Sequence, residues 1–198
     1  MNASENLLMI LYLLVEMALV ITVALGLSRT KWFQDVADHR FTPVNCAVLM
    51  ITFGALAIAG TYLAADYETS KINIRDLPVV IAGLVGGPVI GIGAGLIGGV
   101  HRYFAGGATA IPCAISTVLS GLVAGLVHRY YNGFPKVHVA VVTSFVLAVV
   151  HMVLVTFISN PSSVGGDIAS VIALPMISFA VIGMASFSVL YLRSLGSK

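Results

Sequence analysis

Six long apolar runs make up most of this chain and restrict it to one class of fold. They occupy residues 7–27, 44–64, 77–100, 109–127, 137–158 and 168–192. Each run is long enough for a helix to cross the hydrocarbon core of a bilayer, and none shows the alternation typical of a half-buried strand. The sequence therefore predicts an all-α membrane protein. The first run lacks the basic flank and cleavage site of a signal peptide, so we expect it to be retained.

Composition excludes the soluble alternatives. Of 198 residues, 59% are hydrophobic and only 9% are charged, whereas a soluble domain carries about 25% charged residues. This chain could not cover a globule with water-compatible surface, which excludes a soluble enzyme and a nucleic-acid-binding protein. The two cysteines, Cys46 and Cys113, lie in separate apolar runs and imply no disulfide. Hydrolase, nucleotide-loop and metal-site motifs do not occur, so we expect no catalysis, cofactor or metal.

The third apolar run is interrupted at its centre by Gly86-Gly87-Pro88. Two glycines followed by a proline are a strong signal for the end of a helix. We predict a tight helical hairpin with a first arm up to Val85, a turn at 86–88, and a second arm from Val89 to about Arg102. The hairpin raises the number of transmembrane helices to about seven and places the two chain ends on opposite sides of the membrane.

Basic residues support this topology. With the hairpin, seven of them share one side and three share the other, whereas without it the split is six against four. The positive-inside rule then predicts an outer N-terminus and a cytoplasmic C-terminus. The seven are Arg29, Lys31, Arg40, Arg129, Lys136, Arg193 and Lys198, and the three are Lys71, Arg75 and Arg102.

Glycine recurs at every fourth position through the hairpin, at Gly83, Gly87, Gly91, Gly95 and Gly99. Such spacing makes a flat helix face that another backbone can approach closely. We therefore expect the second arm to be wedged in the centre of the bundle rather than to face lipid. Close packing alone is also a sufficient explanation for these glycines.

Two arginines frame the hairpin, with Arg75 13 residues before Pro88 and Arg102 14 residues after it. Arms of equal length bring both guanidinium groups to the same depth, on the outer side. Burial of a charged arginine in the membrane costs free energy, and guanidinium groups bind carboxylates in a bidentate manner. The pair of arginines therefore favours an anionic ligand. The alternatives are neutralisation by Asp66, Glu68 or Asp76, or arginine side chains that reach to water.

The next apolar run begins with a polar stripe at helical spacing. Its start near Arg102 would direct the N–H groups and dipole of a helix toward the arginines, which also favours an anion. Hydrogen bonding between helices is the alternative reading of the stripe. The stripe consists of Thr109, Cys113, Ser116, Thr117 and Ser120.

Two other ionisable residues lie inside apolar runs. Glu16 is equally consistent with a structural and a functional role, and His151 is more typical of a core histidine.

Four motifs in fixed order lie within residues 71–128. They are Asn73-Ile-Arg75, Gly86-Gly-Pro88, His101-Arg102 and Pro112-Cys113-Ala-Ile-Ser116. This block resembles the membrane receptor domain of LytS-type sensor histidine kinases, the LytS-YhcK five-transmembrane receptor type. The resemblance implies a six-helix core similar to the substrate-binding subunits of energy-coupling-factor transporters, with one extra N-terminal helix.

The resemblance also implies function. It makes residues 1–198 a single sensor domain in the cell membrane that binds an extracellular metabolite. The domain would signal to a cytoplasmic kinase, and the kinase would signal to a response regulator. The kinase is absent from this chain. Receptors of this kind usually act as homodimers. The members most similar in the motif block sense pyruvate through residues that fall here on Arg75, Arg102, Cys113 and Ser116, to which we add Asn73 and Thr109.

Pyruvate is thus the leading ligand, with the arginines on its carboxylate and Cys113 beside its keto carbon, where the thiol would form a reversible adduct. The sequence departs from many relatives at Met17 and Ala180. Two other functions stay open: a substrate-binding subunit of a small-solute or vitamin transporter, and an intramembrane hydrolase that uses Cys113 with His101 or His151.

Overall fold

Helices dominate the computed structural model, which describes residues 3–67 and 70–196. Six helices are long and apolar enough to cross a membrane, and α2 is short. Strands β1 and β2 form a small antiparallel hairpin with Ala65 opposite Ile72. The all-α prediction is confirmed. The elements are α1 (Ala3–Ser28), α2 (Lys31–Ala37), α3 (Pro43–Tyr62), β1 (Ala65–Tyr67), β2 (Ser70–Ile72), α4 (Asp76–Phe104), α5 (Ala110–Tyr131), α6 (Val137–Ile158), a 3-10 turn (Ser162–Val164) and α7 (Gly165–Gly196).

Helix α4 folds back on itself at Gly87. The backbone there has φ 78° and ψ −172°, a region that essentially only glycine adopts. A Cβ atom added to Gly91 would lie 2.9 Å from the Cα atom of Gly83, although eight residues of straight helix span about 12 Å. The predicted hairpin is therefore confirmed. Its first arm is 76–86, its second arm is 88–104, and the chain passes through the bundle seven times.

Both arms pack on α5, in opposite directions. Along the second arm, Gly91 meets the backbone of Gly121, and Gly99 meets the backbone of Ala114. The first arm runs the other way, with Gly83 against Gly121 and Ala124. The four-residue glycine spacing thus provides the close backbone contact that the sequence predicts.

The first arm, not the second, occupies the centre of the bundle. Every residue from Leu77 to Gly87 is buried, whereas the second arm exposes Val89, Leu96 and Val100 on one face. This corrects the expectation that the second arm is the enclosed one. The reason is that the first arm is apolar on all sides, while the second has a glycine face and a bulky face, which suits a position at the periphery.

The turn of the hairpin is tied to α5 by His128. Pro88 has no N–H group, so the carbonyl of Leu84 loses the donor that a regular helix supplies four residues later. The Nδ1 atom of His128 lies 2.9 Å from that carbonyl oxygen and donates to it. His128 is buried, so the bond replaces the missing helical hydrogen bond where water is scarce.

Replacing His128 by alanine should lower the free energy of unfolding by about 1–3 kcal/mol, the usual cost of leaving a buried carbonyl without a donor. Thermal unfolding of the protein in detergent measures the change. His138→Ala is the matched control because His138 is exposed on α6. Equal melting temperatures for the two variants would contradict this role of His128.

The bundle has two distinct ends. At the hairpin turn, His39 contacts the Asn132 carbonyl at 3.2 Å, and the rings of Phe33, Phe134 and Tyr191 pack together. At the opposite end, the Asn160 N–H donates to the Ala108 carbonyl. The turn end therefore carries the last turn of α5 and the last turns of α7, with their basic residues Arg129 and Arg193. The described residues do not include Lys198, which the sequence analysis assigned to one side of the membrane. They also do not include Glu68 or the side chain of Asp66, two of the acids that could neutralise the arginines.

Candidate functional site

The open end of the hairpin brings the two arginines together. Arg75 is 1% exposed and Arg102 is 0% exposed. Their guanidinium groups are close enough to act electrostatically on each other and on the Cys113 sulfur. The two positive charges therefore share one buried cluster, although the arms that lead to them are unequal, at residues 76–86 and 88–104.

The cluster lies well inside the bundle. Asp76 begins the first arm, and its carboxylate accepts hydrogen bonds from Ser116 at 2.9 Å and Thr117 at 2.6 Å. These two residues lie six and seven positions after Ala110, about 10 Å along α5. The first arm is therefore too short to reach the level at which α5 begins, and the arginine that precedes it lies below that end of the bundle.

Several guanidinium donors find no acceptor among the described residues. Arg75 donates from Nη1 to the Thr61 hydroxyl at 3.3 Å, and Arg102 donates from Nη2 to the Thr109 hydroxyl at 3.0 Å and from Nη1 to the Gly106 carbonyl. Within the described part of the chain, Nε and Nη2 of Arg75 and Nε of Arg102 are buried without a hydrogen-bond partner. Buried polar groups are nearly always paired, so this set of donors suits an anion.

Asp76 is the one predicted neutralising acid whose side chain the structure describes. Its carboxylate bonds Ser116, Thr117 and the Nδ1 atom of His151, the last at 2.8 Å. Its charge offsets part of that of Arg75, but its hydrogen bonds go elsewhere. Asp76 therefore organises the site without occupying the guanidinium donors.

Glu16 of α1 also reaches the site. Its Oε2 atom accepts a hydrogen bond from the Ile74 N–H at 2.8 Å, and its carboxylate acts electrostatically on Arg75. Gly60 of α3 makes this possible because a Cβ atom there would overlap Oε1 of Glu16. The helix that precedes the core thus contributes a buried acid beside the arginines.

His151 of α6 joins the site as well, although its sequence context favours an ordinary core histidine. Its Nε2 atom lies 3.3 Å from the Cys113 sulfur, and both side chains are buried. Sequence reasoning considered Asp76 only as a neutralising acid, and His151 only as a core histidine or as the partner of Cys113 in a hydrolase. The signal available was that each is an ionisable residue at or inside an apolar run.

The other sequence-predicted residues lie in the same cluster with different partners. The Asn73 side-chain oxygen accepts from the Arg75 N–H at 3.4 Å, and its Nδ2 has no hydrogen-bond partner among the described residues. Thr109 precedes α5 and accepts from Arg102. Ser116 donates to Asp76, so its proton is not available to a ligand carboxylate.

A small cavity adjoins this cluster, between the first arm, α6 and α7. Its volume is about 20 Å³, and its polar wall includes Asn73, Asp76 and His151. Ala180 lines its apolar wall. The space suits about one water molecule. The residues that line this cavity do not include Arg75, Arg102 or Cys113, so its volume sets no limit on a ligand held by the arginines.

Comparison with known proteins identifies the same type of domain. The family model described as 5TMR of 5TMR-LYT matches residues 30–193. No solved structure gives a significant match.

The curated relatives include a sensor histidine kinase and a sensor protein. The chain is 34% identical over 186 residues to the sensor histidine kinase BtsS of Escherichia coli K12, covering 90% of this chain and 33% of that protein. It is 27% identical over 188 residues to the sensor protein LytS of Bacillus subtilis, covering 85% of this chain and 32% of that protein. The chain therefore spans about a third of the length of these relatives.

Proposed function

The chain belongs to the 5TMR-LYT family of multi-pass membrane sensor domains, and from this premise we propose that it binds a small carboxylate, with pyruvate as the first candidate. Pyruvate is the candidate because of the resemblance of residues 71–128 to pyruvate-sensing members. The 34% identity to a sensor histidine kinase supports a sensory role.

The observation that carries the proposal is a set of N–H groups on two buried arginines that have no partner in the described part of the chain. A buried charge without a partner is costly, and the cost is removed when an anion supplies acceptors. A carboxylate offers two oxygen atoms in the plane that matches a guanidinium edge. Arg75 and Arg102 would therefore hold the ligand carboxylate between them.

The remaining polar residues take supporting roles in this proposal. The Nδ2 group of Asn73, which has no partner within residues 3–67 and 70–196, would supply a further donor to the ligand. Ser116 acts through Asp76, because its hydroxyl proton is already engaged there. Thr109 holds the Arg102 guanidinium in place. Cys113 contacts His151 and interacts electrostatically with both arginines, and in this proposal it would face the carbon next to the carboxylate.

Signalling would follow from the position of the site between helices. Asp76 of the first arm bonds Ser116 and Thr117 of α5 and His151 of α6, so a ligand in this cluster would favour one packing of the hairpin against α5, α6 and α7. Helix α7 ends at the same end of the bundle as the hairpin turn, which we assign to the cytoplasm, and the site would open to the exterior. In a longer parent protein, α7 would lead into a histidine kinase that acts as a homodimer on a response regulator.

A thermal-shift titration of the purified protein tests the binding proposal. Pyruvate should raise the melting temperature in a saturable manner, because a ligand that binds only the folded state stabilises it. Pyruvamide, which has a similar shape but no charge, should have no effect. A response to neither compound, or an equal response to both, would overturn the proposal. Accumulation of labelled pyruvate in vesicles would instead favour the transporter function.

A further inference from the structure

Three side chains from different helices form a continuous chain of contacts inside the site. The Cys113 sulfur of α5 lies 3.3 Å from Nε2 of His151 on α6. The Nδ1 atom of the same ring lies 2.8 Å from Oδ2 of Asp76, at the beginning of the first arm. A thiol, an imidazole and a carboxylate in this order are the groups that activate a cysteine as a nucleophile.

The orientation of the histidine ring is fixed from the carboxylate side. Asp76 is itself held by the hydroxyl groups of Ser116 and Thr117. Because a carboxylate only accepts hydrogen bonds, Nδ1 of His151 must carry a proton and donate it. In the neutral ring, Nε2 is then an acceptor that faces the sulfur and can take the thiol proton.

The surroundings of the sulfur favour a negative charge. Arg75 and Arg102 both act electrostatically on Cys113. Those of their N–H groups that lack a partner among the residues that the structure describes are buried in the same cluster. Cationic neighbours stabilise a thiolate, and fixed donors stabilise an oxygen atom that becomes negative during an addition.

We propose that Cys113 adds reversibly to the keto carbon of a 2-oxo acid, with His151 transferring the proton and Asp76 positioning His151. In this step the carbon–sulfur bond forms and the π bond of the carbonyl breaks. Its electron pair moves to the oxygen, which receives the proton that leaves the thiol through Nε2 of His151. The product is a hemithioketal. The addition rests on the carboxylate site proposed above, and it makes 2-oxo acids the ligand class that this site prefers.

Addition explains why such a site would bind without turnover. The keto carbon of a 2-oxo acid carries no leaving group, so the adduct can only revert to ketone and thiol. A 2-hydroxy acid such as lactate has the same carboxylate but no electrophilic carbon. The site would therefore discriminate between two acids of nearly equal size by chemistry rather than by shape.

The test uses the full chain in lipid nanodiscs with pyruvate labelled with ¹³C at the keto carbon. The bound signal should appear in the region of a tetrahedral carbon and disappear when unlabelled pyruvate is added in excess. Calorimetry should show pyruvate binding about tenfold or more tighter than L-lactate, which corresponds to about 1.4 kcal/mol. Bound pyruvate that keeps its carbonyl signal would overturn the addition.

Conservative variants separate the chemistry from the fold. Cys113→Ser should abolish the tetrahedral signal and bring the affinities for pyruvate and lactate to within about threefold of each other. Cys46→Ser is the matched control, because Cys46 is the other free cysteine and lies in α3, and it should retain the signal. Asp76→Asn and His151→Gln should weaken the tetrahedral signal while lactate binding persists. A full signal in Cys113→Ser would overturn the assignment of the nucleophile.

The outcomes also distinguish this inference from the proposed function. If pyruvate and lactate bind equally and both require the two arginines, the carboxylate site stands and the addition is wrong. If neither acid binds the parent protein, the carboxylate site is wrong and the addition is wrong with it. Should Cys113→Ser not fold, Cys113→Ala and the parent's preference for pyruvate over lactate provide the same comparison.

Discussion

Arg102→Ala should weaken pyruvate binding by about two orders of magnitude or more, the range expected when one partner of a buried charge pair is removed. Arg75→Ala should have an effect of the same order. In each case the ligand carboxylate loses a guanidinium, and the remaining buried arginine faces it alone. Calorimetric titration of the purified variants measures the change.

The control for both variants is Arg129→Ala, which removes an exposed arginine near the other end of α5 and should leave the affinity unchanged. Arg102 also bonds Thr109 and the Gly106 carbonyl, so its loss could loosen the loop before α5. Arg102→Lys addresses this because it keeps the charge but not the planar donor set. Full affinity in Arg75→Ala and Arg102→Ala would exclude the arginines from the binding site.

Gly91→Ala should lower the free energy of unfolding by about 3 kcal/mol or more, at the upper end of the effects of overpacking. An added Cβ atom would overlap the carbonyl of Gly121 and lie 2.9 Å from the Cα atom of Gly83. All three neighbours are backbone, so no side-chain rotation relieves the contact. Unfolding of the protein in detergent, followed by circular dichroism, measures the loss.

Gly26→Ala is the matched control, because Gly26 lies in α1 and an added Cβ atom there would have nothing within 4 Å. Alanine has the higher helix propensity, so this variant should be as stable as the parent or slightly more stable. Similar destabilisation of both variants would mean that glycine content, rather than the close contact between the hairpin and α5, determines stability.

Much of the fold follows from the sequence because its signals are local. The Gly86-Gly87-Pro88 interruption predicts the reversal, since only glycine tolerates the backbone conformation found at Gly87. The equal distances from Pro88 to Arg75 and Arg102 then place both arginines together without knowledge of any other helix. These two steps depend on covalent geometry and helix rise alone.

The contact from Asp76 to His151 to Cys113 could not be predicted in the same way. It joins three helices, and their relative rotation depends on packing that no single segment specifies. For the same reason the sequence favoured the wrong arm as the enclosed one. The glycine spacing indicates a close contact, but it does not tell on which side of α5 each arm packs. The short α2 and the β1–β2 hairpin lack the long apolar runs on which the span count depends.

Glu16 gives the site a mechanical link to the start of the chain. Its hydrogen bond from the Ile74 N–H holds the junction that leads into the enclosed arm, and α1 packs mainly against α7. If ligand binding displaces this junction, as the proposed function requires, α1 would move with it, and α7 would follow through its packing on α1. The first and last helices would then respond together to the state of the site.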